Sequence, residues 1–185
     1  MKDADFALNS SRYRIKNAAE ALFARKGYGG VTVKEISDAA SVNIAAISYY
    51  FGGKESLYTF ILRMHAKNLE EALQTIQETD AASLEKIHLF AERILSIRQD
   101  NPNFNGILSF ALISQECGEI VEEVVGKIKD FLEECLTEAI GAGECNLVVR
   151  PHLIDILTHN TLSNFSMCEP YNFFSEVDIF SLTDM

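Results

Sequence analysis

The chain has 185 residues, 48% of them apolar, with 16 Lys/Arg against 27 Asp/Glu and a net charge of −11. That is enough chain for one domain of ordinary size, or for a small domain joined to a larger one, and enough apolar content for a real core. No window approaches about 20 uninterrupted apolar residues, so a membrane span is not expected, and the acidic start Met1-Lys2-Asp3-Ala4-Asp5 lacks the apolar run of a signal peptide, which makes a cytoplasmic protein the expectation.

The charge is unevenly placed. Residues 1–67 hold ten Lys/Arg and six Asp/Glu, a net of +4, whereas residues 68–185 hold six and twenty-one, a net of −15. A basic head on an acidic body fits a protein whose head meets phosphate while its body is repelled by it. Acidic surfaces also simply keep proteins soluble, so the asymmetry alone does not name a partner. The cysteines stand at 117, 135, 145 and 168 with no CxxC pair. Disulfides and a structural zinc are therefore not expected, and Cys135, inside an apolar pattern, reads as a small core residue.

In chain order, residues 1–10 read as a loose arm. Ser10 or Ser11 can cap a first helix over 12–26, in which Ile15, Ala18, Ala19, Leu22 and Phe23 keep helical spacing and Gly27 is the stop. Lys2, Arg12, Arg14 and Lys16 cluster at its start, where they either approach phosphate or remain solvated.

Thr32 followed by Glu35 is a capping box. Val33, Ile36 and Ala40 then share one face of a two-turn helix, with Ala39 beside them, and small Ala39 and Ala40 let a neighbouring helix approach. Ser41-Val42 interrupts the pattern. Asn43 is a good N-cap for a second short helix, in which Ile47 and Phe51 point inward until Gly52-Gly53 stops it. Two short helices joined by a tight turn make a helix-turn-helix over about 32–51. Ile44, Ala45, Ser48 and Tyr49 lie on its outer side. That surface is short, nearly uncharged and carries a phenol. It suits a major groove, where methyl groups can meet thymine methyls and hydroxyls can reach base edges or phosphates. Periodicity alone does not select this reading, because any hairpin in an all-helical protein shares it.

The residues themselves add to it. Ala18-Ala19-Glu20-Ala21-Leu22-Phe23-Ala24-Arg25-Lys26-Gly27-Tyr28, then Thr32-Val33 with Ile36, then Val42-Asn43 with Ala45-Ala46-Ile47-Ser48-Tyr49-Tyr50-Phe51 and Lys54-Glu55 with Leu57, closely resemble the N-terminal domain of TetR-family transcriptional regulators. The resemblance covers residues 11–61. It implies an N-terminal DNA-binding domain, 1–53, and a C-terminal domain, 54–185, that binds a small-molecule effector and dimerises. Carried over by position, it implies DNA contacts from Thr32, Asn43, Ile44, Ala45, Ala46, Ser48, Tyr49, Tyr50 and Lys54. Ser48 stands where family members often carry Tyr, and Tyr50 where they often carry His. Lys54 and Tyr49 match positions that touch phosphate, while Ile44, Ala45 and Ser48 are the expected readers of sequence.

A long helix is expected from 54 or 55 to 77, with Leu57, Tyr58, Ile61, Leu62, His65, Leu69, Ala72 and Leu73 along one stripe. Further helices are expected over 83–99, 104–116, 119–140 and 151–167, with one more in the tail between 173 and 182. The whole is therefore an all-α protein of about nine helices. The resemblance implies that 151–167 and the tail pair with their copies in a homodimer, and that a pocket lies in the body. Phe90, Phe104, Phe110, Phe131 and Phe165 are its candidate lining, although each also reads as plain core. His152, Asp155 and His159 share a face, with Cys168 or His88 as further donors, but that spacing reads as an interface face rather than a metal site. No P-loop, GxSxG, HExxH or GxGxxG motif occurs, so an enzyme is not expected and no cofactor is assigned beyond an unknown effector. The expected function is a ligand-responsive repressor that binds a palindromic operator on double-stranded DNA. The alternative is a helical adaptor that binds protein only.

Overall fold

The computed structural model describes residues 2–113 and 118–144. Seven helices and no strand occur among them: α1 Lys2–Lys26, α2 Val33–Ala40, α3 Ala45–Phe51, α4 Lys54–Gln77, α5 Ser83–Asp100, α6 Phe104–Ile113 and α7 Gly118–Gly141. The expected helices over 151–167 and in the tail, together with Phe165 and the His152, Asp155, His159 and Cys168 group, lie outside the described residues. No helix among the described residues is long and apolar enough to cross a membrane.

The chain packs as two units. The first holds residues 2–67, 101–113 and 118–121, and the second holds 68–100 and 122–144. In the first unit, Ile15, Ala19, Leu22 and Phe23 of α1 meet Ile36 and Ala40 of α2, Ile47 of α3, Leu57, Tyr58, Ile61 and Leu62 of α4, and Ile107 and Ala111 of α6. Burying a side chain of this size contributes about 1.5–3 kcal/mol, so this shared core is what holds the short helices α2 and α3 in place. Neither is long enough to be stable in isolation.

α6 lies directly on α1. A Cβ on Gly106 would come within 2.2 Å of the Ala24 carbonyl oxygen, so only glycine permits the approach. One turn away on α6, the Phe110 ring lies against Gly27, whose added Cβ would fall 2.9 Å from Phe110 Cδ1.

The same unit buries a carboxylate. Glu20 is 3% exposed and His65 1%. Lys16 Nζ donates to Glu20 Oε2 at 2.7 Å, and Asn101 Nδ2 donates to Glu20 Oε1 at 2.7 Å. His65 Nε2 stands 2.9 Å from the same Oε1, off the axis of a well-aligned hydrogen bond. The imidazole packs edge-on against Phe104 at 5.4 Å. Burial pushes the Glu20 carboxyl up, but His65, Lys16 and Asn101 outweigh it and hold it down at about 2.

The second unit is held by Phe90 on α5 against Phe131 on α7, ring centroids 5.4 Å apart, and by Val124, Ile128, Leu132, Cys135 and Leu136. Burial first, then Glu138, pushes the Cys135 thiol up to about 11, so it remains a neutral core residue as its sequence context suggests.

Three expectations change. The first helix starts at Lys2, so residues 2–10 are helical rather than a loose arm. No proline or glycine between Lys2 and Ser11 breaks a helix. On α2 the second small buried residue is Ser37, not Ala39, which is exposed. Ser37 tolerates burial because its hydroxyl donates to the Lys34 carbonyl at 2.9 Å. The apolar pattern over 83–99 sets Leu95 beside Ile94 and Ile97, but on α5 it is 54% exposed.

Two outcomes test this account. Gly106→Ala should lower stability by about 2–3 kcal/mol, since the clash is with backbone and no side chain can turn away. Urea denaturation reads it, and an unchanged midpoint contradicts the close α1–α6 contact. Glu20 has its folded pKa depressed, so its stabilisation is complete above its unfolded value of about 4.5 and disappears as pH falls towards 2. The stability gap between the native protein and Glu20→Gln should be about 3 kcal/mol at neutral pH and should close across that window. A gap that does not vary with pH sinks the assignment.

Candidate nucleic-acid interface

The interface begins with two caps. Thr32 is extended at φ −97°, ψ 153°, and the capping box is complete. Its hydroxyl accepts from Glu35 N at 3.2 Å, and its amide donates to Glu35 Oε2 at 2.8 Å. Lys26 Nζ closes on Glu35 Oε1 at 2.7 Å. Lys26, then the Thr32 amide and hydroxyl, hold the Glu35 carboxyl down at about 2, so it stays ionised and keeps the cap. The Thr32 hydroxyl also donates to Glu35 Oε2 at 2.8 Å. Both Thr32 groups available for a phosphate are thus engaged with Glu35.

α2 ends at Ser41, which sits in the left-handed region at φ 52°. Ser41 N donates to Asp38 O at 3.1 Å and Val42 N to Ser37 O at 3.0 Å, a Schellman turn. Asn43 then caps the next helix: its Oδ1 accepts from Ala45 N at 2.9 Å and its carbonyl from Ala46 N at 2.9 Å. Ile44 already has helical angles, so Asn43 is the capping residue expected from the sequence. Gly52, at φ 80°, ends α3 with its amide on Ser48 O.

On α3, Ile47 is fully buried, and Ala46, Tyr50 and Phe51 are half-buried against the core. Asn43, Ile44, Ala45, Ser48 and Tyr49 face outward, Ile44 at 51% and Tyr49 at 76% exposed. Tyr49 packs edge-on against Tyr50 at 5.0 Å, which limits where its hydroxyl can point. The structure therefore brings five of the nine sequence-derived residues onto one open, uncharged surface. Ala46 and Tyr50 hold that surface in place, and Thr32 opens the neighbouring helix.

Lys54 is placed differently. Its ammonium donates to the carbonyls of Tyr28 at 2.9 Å and Val31 at 2.7 Å, and it lies 4.0 Å from the centre of the Tyr28 ring. Its charge is held against the loop between α1 and α2. Lys16 is likewise bound to Glu20. Arg12 lies over Phe51 and Phe60, 5.6 and 5.4 Å from their centres. Arg14 reaches the Ser41 carbonyl at 3.4 Å, beside the turn, and Lys34 is exposed on α2. Arg14 was one of four basic residues the sequence grouped without ranking. Lys34 was missed, although its place two residues after the Thr32 cap marked it as outward-facing.

The aromatic set is divided between the units. Phe104 and Phe110 belong to the first, against His65 and Gly27, and Phe90 and Phe131 pair in the second. Among the described residues they do not line one cavity. A cleft of about 340 Å³ in the second unit is lined instead by Glu70, Leu73, Gln74, Lys127, Phe131 and Glu134, among others. Lys127 spans it, bonded to Glu70 at 2.6 Å and Glu123 at 2.8 Å. His88 pairs with Glu92 at 3.3 Å.

Residues 15–59 match the family model described as bacterial regulatory proteins, tetR family. The probable HTH-type transcriptional regulator YttP of Bacillus subtilis is 41% identical over 71 residues, 36% of this chain and 34% of that protein. The HTH-type transcriptional regulator RutR of Escherichia coli K12 is 25% identical over 128 residues, 69% of this chain and 59% of that protein, so the chain spans well under two thirds of either relative. The HTH-type transcriptional repressor NicS of Pseudomonas putida is 26% identical over 170 residues, 88% of this chain and 76% of that protein. Among solved structures, the hemolysin II transcriptional regulator HlyIIR superposes with TM-score 0.71 at 25% identity, covering 96% of this chain and 99% of that one. A gamma-butyrolactone receptor superposes with TM-score 0.71 at 20% identity over 85% and 80%, which supports the fold alone.

The position of Lys54 makes a prediction. Lys54→Ala should lower stability by about 1.5–3 kcal/mol, the range for hydrogen bonds from a charged donor. Thermal or urea unfolding of the full chain measures it. A variant as stable as the native protein would mean that the ammonium is not committed to the loop.

Proposed function

The chain belongs to the TetR family of bacterial regulatory proteins, and from that premise we propose that it is a ligand-responsive repressor that binds a palindromic operator as a homodimer. The observation that carries the DNA-binding part is the outer face of α3. Ile44 and Tyr49 are held in water on a helix capped at both ends, with Ile47 fixing its inner side. Nothing in the first unit's own packing calls for that exposure.

Within this reading, residues 1–53 form the DNA-binding domain and 54–185 the effector-binding and dimerising domain. Ile44, Ala45 and Ser48 meet base edges. Asn43 and Tyr49 set the register on the backbone, with Arg14 and Lys34 supplying charge beside them. A single seven-residue helix reads only a few base pairs, so selectivity comes from two copies spaced by one turn of DNA, about 34–36 Å. The effector must bind the two states of the dimer with different affinity, or it shifts nothing. The acidic residues beyond 67 repel DNA and confine its approach to the head.

The test is selection of bound fragments from random duplex DNA by the full chain at two salt concentrations. A palindromic site should emerge, with affinity falling about a thousandfold or more between 50 and 200 mM salt. Tyr49→Phe should weaken binding by about 1 kcal/mol without changing the selected sequence. Weak binding with no sequence preference would reject the repressor and leave the adaptor reading in its place.

A further inference from the structure

We propose that α3 reads thymine-bearing A·T pairs through the thymine 5-methyl group, and that no side chain of this helix reads guanine. The inference rests on the DNA-binding reading above and deepens it by naming the class of base pair the site takes.

Each base pair shows the major groove its own set of groups, and each set calls for particular side chains. Guanine shows two acceptors, O6 and N7, which Arg or Lys reads together. Ala45–Phe51 contains neither, and neither does the Asn43-Ile44 approach to it. The nearest cations are committed or stand elsewhere. Lys54 is on the Tyr28 and Val31 carbonyls, Arg12 is over two phenyl rings, and Arg14 is beside the Ser41 carbonyl. Lys34 is on α2, the helix that in this motif crosses the sugar-phosphate backbone. Cytosine shows an amino donor that a carboxylate accepts, and α3 has no carboxylate. Adenine is read by the paired acceptor and donor of Asn or Gln. The one amide here is Asn43, whose Oδ1 is occupied by Ala45 N at 2.9 Å.

What α3 does present is apolar. Ile44 holds half its surface in water at the first turn, and Ala45 is exposed beside it. The thymine methyl is the one apolar group on the major-groove edge of any base. Contact between it and Ile44 removes water from both surfaces, worth about fourfold in affinity for one methyl group. Ser48 and Tyr49, one turn further on, offer hydroxyls that bond a base edge or a phosphate without choosing between pairs.

The experiment uses the full chain and the duplex obtained by selection. Each thymine of a half-site is replaced in turn by deoxyuridine, which removes the methyl group and nothing else. Replacement at one or two positions should weaken binding about fourfold. Ile44→Ala, a change at an exposed helical position, should bind the thymine and uridine duplexes equally. Half-sites with G·C pairs at their contacted centre, or uridine duplexes bound as tightly as thymine ones, would overturn the proposal while leaving the regulator intact. Should Ile44→Ala lose all measurable binding, the thymine–uridine comparison with the native protein still decides. Failure of the native protein to select any sequence shows at the first step, and it removes the regulator and this inference together.

Discussion

One buried carboxylate sets the terms for the first unit. Glu20 sits in the core with Lys16 from its own helix, His65 from α4 and Asn101 from the turn before α6. An ionised carboxylate taken out of water costs several kcal/mol unless its oxygens are met by donors. Here Lys16 and Asn101 donate to them, and His65 lies 2.9 Å from one. Withdrawing any one leaves an uncompensated buried charge, which is more expensive than never having had the group at all. The carboxylate therefore stabilises the fold only while its partners are in place, and it selects one arrangement of α1, α4 and residues 101–104. Gly106 reinforces that choice from the other side, because its contact with the Ala24 carbonyl has no slack. The first unit thus holds α1–α3, the first half of α4, and α6.

Within that frame the recognition surface is built by local rules. Thr32 and Glu35 start α2, the Ser41 turn reverses the chain, Asn43 starts α3 and Gly52 ends it. Each of these fixes a backbone end for about 1 kcal/mol. Ile47 alone then anchors α3 to the core by a fully buried side chain. Lys54 belongs to this frame as well. Its ammonium closes the loop after α1, drawing the start of α4 towards Tyr28 and Val31. A residue whose family position suggests phosphate contact is here part of what holds the head together.

What was legible in the sequence follows from the range of each interaction. The capping box, the Asn43 cap and the inward Ile47 depend on residues within four positions of one another, and all were readable. The same holds for the ends of α4, α5 and α7, which fall within one or two residues of their sequence signals. The start of α1 was not readable, because Ser10-Ser11 has the composition of a cap and nothing in the chain says that it goes unused. Ser37 in place of Ala39 turned on a hydroxyl finding the Lys34 carbonyl. The Glu20 cluster was invisible, since Asn101 is 81 residues away and nothing marks it as a partner. The phenylalanines show the same limit. Aromatic character says that a residue is buried, not against what, so Phe104 and Phe110 could not be told from Phe90 and Phe131.

An uncharged reading helix carries a thermodynamic consequence. Apolar contacts in a groove discriminate by small factors, whereas a bidentate arginine discriminates by about 1–3 kcal/mol per base. A head that reads methyl groups gains modest selectivity from each half-site, and backbone contacts add affinity without selectivity. In a symmetric dimer the free-energy difference between right and wrong sites doubles, and the corresponding ratio is squared. In the proposed reading the chemistry of α3 and a homodimer are therefore linked requirements. The sparser the polar readout on one head, the more such a regulator would depend on holding two heads at a fixed spacing, and the more strongly a small change in that spacing would release it from DNA.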